Sequence, residues 1–287
     1  MCLRPAPADT GIIFRRTDVE LGLGDIKAIH QNVTETNLCT TLGNNHGNRV
    51  STVEHLMAAF YGCSIDNAIV ELDGPEVPIM DGSAAPFLFL IESAGVQPLN
   101  LPRKAIRILK TVRVSDGDKW VELSPSNIPK VSFQIDFEAN IIASQTYQIT
   151  ATPENFRAEL ARARTFGFVE EVEQLRAQGL AKGGSLDNAV VIEAGRVLNE
   201  GGLRYRDEFV RHKMLDAFGD LYLAGGPVIG RYSAMRSGHY LNHRLLSQLF
   251  SDPSAWAYMP CPENMGYSAQ DRVQQRTSDE LRHAVGG

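Results

Sequence analysis

Residues 208–222 read EFVRHKMLDAFGDLY and place His212 and Asp216 four positions apart. On a helix, side chains at that spacing share one face with Cβ atoms about 6 Å apart, so an imidazole and a carboxylate can point at a common atom. Taken alone, the pair also reads as an ordinary contact between neighbours on a helix surface. A second histidine, His55, lies in VEHLMAAFYG, which overlays VRHKMLDAFG without a gap: Val53 on Val210, His55 on His212, Met57 on Met214 and Gly62 on Gly219. With His55 added, the set has three ligands and an open position, the arrangement of a catalytic zinc rather than a closed structural one. Glu54, next to His55, stands where a carboxylate could take a proton from water at such a centre.

Two other stretches carry candidate groups. His239 in RSGHYLNHR opens a helix, and an imidazole titrates close enough to neutrality to serve as a general acid; the alternative is an exposed histidine with no task. In RARTFGF, Thr165 could donate to a developing oxyanion and Phe166 could pack on a sugar face, or the segment is a short core strand. His30, His46, His243 and His283 lack such company and read as surface residues.

The elements that must hold these residues follow from periodicity. Strands are expected from Ile12, Leu38, Asn67, Ala105, Lys119, Val131 and Gln145, and the Asp-Gly step in SDGDK makes 105–124 a hairpin. STVEHLMAAFYG reads as a helix capped by Ser51, with Glu54 completing a capping box, and SAAPFLFLIESAG, PENFRAELARAR and GHYLNHRLLSQLF read as further helices. PEVPIMDGSAAPF at 75–87 has the turn residues of a rigid corner. The order of strands and helices, repeated on either side of LNLPRK, predicts an α+β fold of two similar lobes, 1–101 and 102–255, with a polar tail over 256–287.

Composition excludes several classes. The 287 residues are 43% hydrophobic and 22% charged with a net charge of -6, which does not suit a protein that binds a nucleic-acid backbone. LGLGDI lacks the third glycine of a dinucleotide fingerprint. Cys2, Cys39, Cys63 and Cys261 form no CxxC pair, so neither a zinc ribbon nor a disulfide framework is indicated, and no apolar run is long enough to span a membrane. The expectation is a cytoplasmic protein without stable membrane insertion.

Taken together, VSTVEHLMAAFYG, PEVPIMDGSAAPF, ARTFGF, KGGSLDNAVV, VLNEGGLRYRDEFVRHKMLDAFGDL and SGHYLNHRLL closely resemble the UDP-3-O-acyl-N-acetylglucosamine deacetylases, zinc enzymes of lipid A biosynthesis. The resemblance runs from about Leu3 to beyond Trp256. It implies zinc held by His55, His212 and Asp216, with Glu54 as general base, His239 as general acid and Asp220 as the group that orients His239. It further implies that Thr165 holds an oxyanion, Phe166 lies against the glucosamine and Lys213 contacts the nucleotide diphosphate. Two lobes packed helices inward would enclose the site, and an insert near 168–196 would form an acyl-chain passage lined by Leu180, Leu186, Ala189 and Val191. The implied substrate is a UDP-linked acylated amino sugar and the implied state a monomer.

Against that pattern the chain opens at MCLRPAPADTG, level with the family's second strand, so a first strand and a Gly-rich loop are expected to be lacking, with lower stability as a result. Two other functions fit the residues. One is a zinc amidohydrolase of another N-acetyl sugar; the other is an inactive relative that binds zinc or a nucleotide sugar.

Overall fold

Alternation decides which faces of the strands are buried. Along Lys130–Asp136, Val131, Phe133 and Ile135 face the core while the residues between them are partly exposed, and Ala68, Val70 and Leu72 repeat the pattern along Ala68–Leu72. The computed structural model describes residues 1–139, 141–170, 183–262 and 265, and among these the chain is α+β. Its helices are α1 (Glu54–Gly62), α2 (Ala85–Ala94), α3 (Pro153–Glu159), α4 (Glu208–Tyr222) and α5 (His239–Ser251).

Five sheets are seen among the described residues. The largest runs Ser144–Thr150, Lys130–Asp136, Arg231–Met235, Lys119–Ser124, Val112–Asp116, and its central pair, Lys130–Asp136 with Arg231–Met235, is parallel. A four-stranded sheet runs Cys2–Pro5, Ala68–Leu72, Ile12–Arg16, Asp25–Lys27, and it too contains a parallel pair, Ile12–Arg16 with Ala68–Leu72. For each sheet a histidine-bearing helix precedes the second strand of the parallel pair: α1 comes before Ala68–Leu72, and α4 before Arg231–Met235 with the short strand Val228–Ile229 between. In each case a further helix follows that strand, α2 or α5.

All nine residues of α1 are buried, because α2, α3 and α4 all pack against it. Such a helix needs no polar face, which explains its run of Leu, Met, Ala, Ala and Phe. Each large side chain in this core, such as Phe14 or Phe133, contributes about 1.5–3 kcal/mol by burial. Gly219 of α4 lies directly over the start of α1: a Cβ added there would fall 2.0 Å from the Glu54 carbonyl oxygen.

Several boundaries differ from the periodicity reading. The hairpin is confined to Val112–Asp116 and Lys119–Ser124; the chain breaks after Ile108, and Lys104–Ile108 joins a separate sheet with Val228–Ile229 and Trp256–Pro260. Trp256–Pro260 therefore form an edge strand at the start of the segment expected to be a polar tail, held by apolar contacts of Trp256 with Phe250 and Tyr258. The helix opened by Pro153 stops at Glu159, well short of Arg164. His30, expected at the surface, is buried and stacks on Phe250 with ring centroids 4.5 Å apart.

Candidate active site

α1 begins at Glu54, but not through the expected capping box. Val53 occupies the cap position without a side-chain hydrogen bond, and Ser51 instead accepts from the Thr41 hydroxyl while its N–H donates to Pro75 O. The Glu54 carboxylate, released from capping, turns inward, where its Oε2 accepts the backbone N–H of Thr40 at 3.0 Å.

His55, His212 and Asp216 converge on one point. The two rings stand edge to face at 5.1 Å, and their Nε2 atoms lie 3.5 and 3.3 Å from the same oxygen, Asp216 Oδ1. One donor atom from each of the three residues falls within 4.8 Å of the others, and all three side chains are buried. His212 Nδ1 sits 3.1 Å from Ala163 O, which can only accept, so Nδ1 carries the proton and the Nε2 lone pair faces the cluster.

Asp216 Oδ1 is buried with no hydrogen-bond partner among the described residues, and so is His55 Nδ1. A buried acceptor without a donor costs about 1–3 kcal/mol, and a cation among the three donors answers that cost at Oδ1. Two imidazole nitrogens and one carboxylate oxygen suit zinc with an open coordination position, so these residues fit the metal.

Ionisation supports the same arrangement. Burial pushes His212 down to about 4, with only partial relief from Asp216, so it is a neutral ligand near pH 7. Burial alone would raise Asp216, but His212, Lys213 and the His55 contact hold it well below the usual carboxylate range. Lys213 stays charged because Asp216 outweighs its burial; its Nζ lies 2.7 Å from Asp216 Oδ2, the oxygen turned away from the histidines.

Beside the cluster runs a chain of proton-handling groups. His239 opens α5, its Nδ1 at 2.8 Å from Asp220 Oδ2 and its Nε2 at 3.9 Å from Glu54 Oε1. Burial lowers His239, yet the Asp220 charge and hydrogen bond, helped by Glu54, outweigh it and carry the group up to about 9. Glu54 moves up from the ordinary carboxylate range through burial, against the pull of His239 and His55. The site thus pairs a carboxylate made more basic with an imidazole that keeps its proton.

Thr165 is fixed by its backbone: its N–H donates to Gly82 O at 2.8 Å and its carbonyl accepts from Val190 N at 2.7 Å. Gly82 has φ +82 and would place a Cβ 2.1 Å from Asn188 O, so the 75–87 corner needs glycine there to seat this strand. Phe166 begins the short strand Phe166–Phe168 and packs edge to face on Phe209 at 4.9 Å, with the His212 ring 6.3 Å away. Leu186 is exposed, and Ala189 and Val191 are partly buried, Val191 alternating with buried Val190 and Ile192. Leu180 lies outside the described residues, as does 171–182 of the expected insert.

Periodicity overlooked several residues that position the site. Thr40 donates from its hydroxyl to Asp220 Oδ1 at 2.6 Å, and Asn242 Nδ2 donates to Asp220 Oδ2 at 2.8 Å. Glu208 accepts both the backbone N–H and the guanidinium of Arg164, within 2.8–3.1 Å. The signal for Asn242 was present in SGHYLNHR, three residues beyond His239 on the same helix.

The chain was compared with known families and proteins. A family model described as LpxC, UDP-3-O-acyl N-acetylglycosamine deacetylase, matches residues 1–251. A UDP-3-O-acyl-N-acetylglucosamine deacetylase of Acidithiobacillus ferrooxidans is 53% identical over 263 residues, 91% of this chain and 86% of that protein. Proteins of the same name from Shewanella violacea and Vibrio parahaemolyticus are 51% and 50% identical, covering 89% and 93% of this chain and 84% and 88% of their own lengths.

Proposed function

The chain belongs to the UDP-3-O-acyl N-acetylglycosamine deacetylase family, and from that premise we propose how its residues remove the acetyl group. It is a zinc amidohydrolase of lipid A biosynthesis that hydrolyses the N-acetyl group of UDP-3-O-(3-hydroxyacyl)-N-acetylglucosamine and releases acetate. The observation that carries the reading is the convergence of His55, His212 and Asp216 beside Glu54 and His239.

His55, His212 and Asp216 hold the zinc, which when bound supplies a Lewis acid for the acetamide carbonyl and acidity for water. Glu54, raised by burial, accepts the proton of the attacking water through Oε1, the oxygen that Thr40 leaves free. The Thr165 hydroxyl donates to the oxyanion as the acetyl carbon becomes tetrahedral. His239, whose proton Asp220 supports, gives that proton to the sugar nitrogen as the C–N bond breaks, and Asp220 keeps its Nε2 aimed inward. Acetate and the free amine are the products. Phe166 borders the sugar, and Lys213, already paired with Asp216, meets the diphosphate from the rim of the cluster.

The two sheets, each with a parallel pair, a histidine-bearing helix before its second strand and another helix after it, support a two-lobe reading with lobes 1–101 and 102–255 and helices facing inward. The exposed Leu186 and the partly buried Ala189 and Val191 support an acyl passage within 168–196. Every group named comes from this one chain, which supports action as a monomer. The four cysteines are free thiols, which favours the cytoplasm, and among the described residues no helix is long and apolar enough to cross a membrane.

The test is direct: acetate and free amine are quantified with the 3-O-acylated substrate and with UDP-N-acetylglucosamine. Release from the first alone is expected. Equal turnover of both would shift the assignment to a general N-acetyl sugar amidohydrolase, and release from neither would overturn it.

A further inference from the structure

Two carboxylates of the site are each held at one oxygen, and the same residue holds both. Thr40 is buried, at 2% exposure, just ahead of the strand Thr41–Gly43. Its backbone N–H donates to Glu54 Oε2 at 3.0 Å, and its hydroxyl lies 2.6 Å from Asp220 Oδ1. An ionised carboxylate only accepts, so the hydroxyl must be the donor and its orientation is fixed. Among the described residues, no other hydrogen bond reaches either of these two oxygens.

The remaining oxygens of the pair face His239. Glu54 Oε1 lies 3.9 Å from its Nε2, and Asp220 Oδ2 lies 2.8 Å from its Nδ1. Thr40, Glu54, His239 and Asp220 therefore close a ring across four segments: the strand entry, α1, α5 and α4. The Thr40 carbonyl completes the brace by accepting Val53 N at 3.3 Å, at the very start of α1. The neighbouring Thr41 hydroxyl points to Ser51 on the other side of the strand, so only one of the two adjacent threonines can serve.

We propose that Thr40 is a positioning residue that sets the distance and alignment between the proton acceptor Glu54 and the proton donor His239. This rests on the roles given to those two residues above. Without its hydroxyl, Asp220 loses its donor to Oδ1 and is held through Oδ2 alone, by Asn242 and His239, so the carboxylate can swing about that end and carry His239 out of line with Glu54. Substrate affinity does not depend on this ring, so the loss belongs in kcat rather than KM.

The experiment compares Thr40→Val, which keeps the shape and the backbone N–H, with Thr40→Ser, which restores a hydroxyl. Zinc per chain, kcat and KM are measured for each, alone and in an Asp220→Ala background. For T40V the expected result is kcat lower by about 10–100-fold, the usual scale for groups that orient a metal-site residue, with KM and zinc content at parental values. T40S should recover most of the loss, and in the D220A background T40V should add little, because the hydroxyl's partner is already gone. Parental kcat in T40V, a T40S as impaired as T40V, or additive losses in the double variant would each overturn the proposal. Should T40V fail to fold, Thr40→Cys, whose thiol is a weaker donor, carries the same comparison. A parent that releases no acetate would refute the deacetylase reading itself, whereas an active parent with unaffected T40V refutes only the role of Thr40.

Discussion

Gly219 sits against Glu54 so closely that the two helices touch backbone to backbone: a Cβ on Gly219 would lie 2.0 Å from the Glu54 carbonyl oxygen and 3.0 Å from its Cα. Glu54, the proton acceptor proposed above, is thereby located by a glycine on the helix that carries His212 and Asp216. At an ordinary helix position Gly→Ala stabilises by about 1 kcal/mol. Here the opposite sign is expected: Gly219→Ala forces α1 and α4 apart and costs about 3 kcal/mol or more. Denaturant midpoints of parent and variant check this, and a variant at least as stable as the parent would show that the helices have slack.

The ion pair between Glu208 and Arg164 leads to a second prediction. The Glu208 side chain is fully buried and the Arg164 side chain is 10% exposed. Their contact ties the first turn of α4 to the segment whose Ala163 carbonyl orients His212 and whose next residue is Thr165. Glu208→Gln leaves a buried guanidinium without its charge partner, a loss on the order of 3–5 kcal/mol. Chemical denaturation should show that loss, together with a lower kcat; an unchanged denaturation curve would mean that water reaches Arg164 and replaces the carboxylate.

Dependence on pH follows from His239. Its folded value of about 9 lies above the ordinary histidine value of 6.5 that holds in the unfolded chain, because Asp220 outweighs burial. The group therefore contributes stability that is fully present below pH 6.5 and is lost as pH rises through about 9. Metal-free protein should thus lose stability between those values, and Asp220→Asn should flatten the loss. With zinc bound, the added positive charge lowers the His239 value, so kcat/KM should fall on an alkaline limb at or below about pH 9. In Asp220→Asn that limb should move to lower pH. A limb that does not move would remove Asp220 as the support of the proton on His239.

The cluster that could hold a metal was legible in sequence because it obeys a local rule: His212 and Asp216 share a helix face, and the VEHLM match supplied His55. The α+β class was legible for the same reason, from strands such as Lys130–Asp136 whose alternation is clean. Thr40 was not, because its partners Glu54 and Asp220 lie 14 and 180 residues away, and its sequence context, LCTTLG, does not say which threonine faces in. Glu208 and Arg164, 44 residues apart, were hidden for the same cause. Glu54 was misread as a capping residue since SxxE is a local pattern, and the tertiary need for a carboxylate at the cluster overrode it.

In the mechanism proposed above, His212 binds the metal while Glu54 moves the proton. The most direct measurement is zinc per chain together with acetate release for the parent, His212→Ala and Glu54→Gln. One zinc and full release are expected in the parent, loss of both in H212A, and retained zinc with release lowered by about 10²–10⁴-fold in E54Q. Acetate release surviving in H212A, or parental turnover in E54Q, would contradict it.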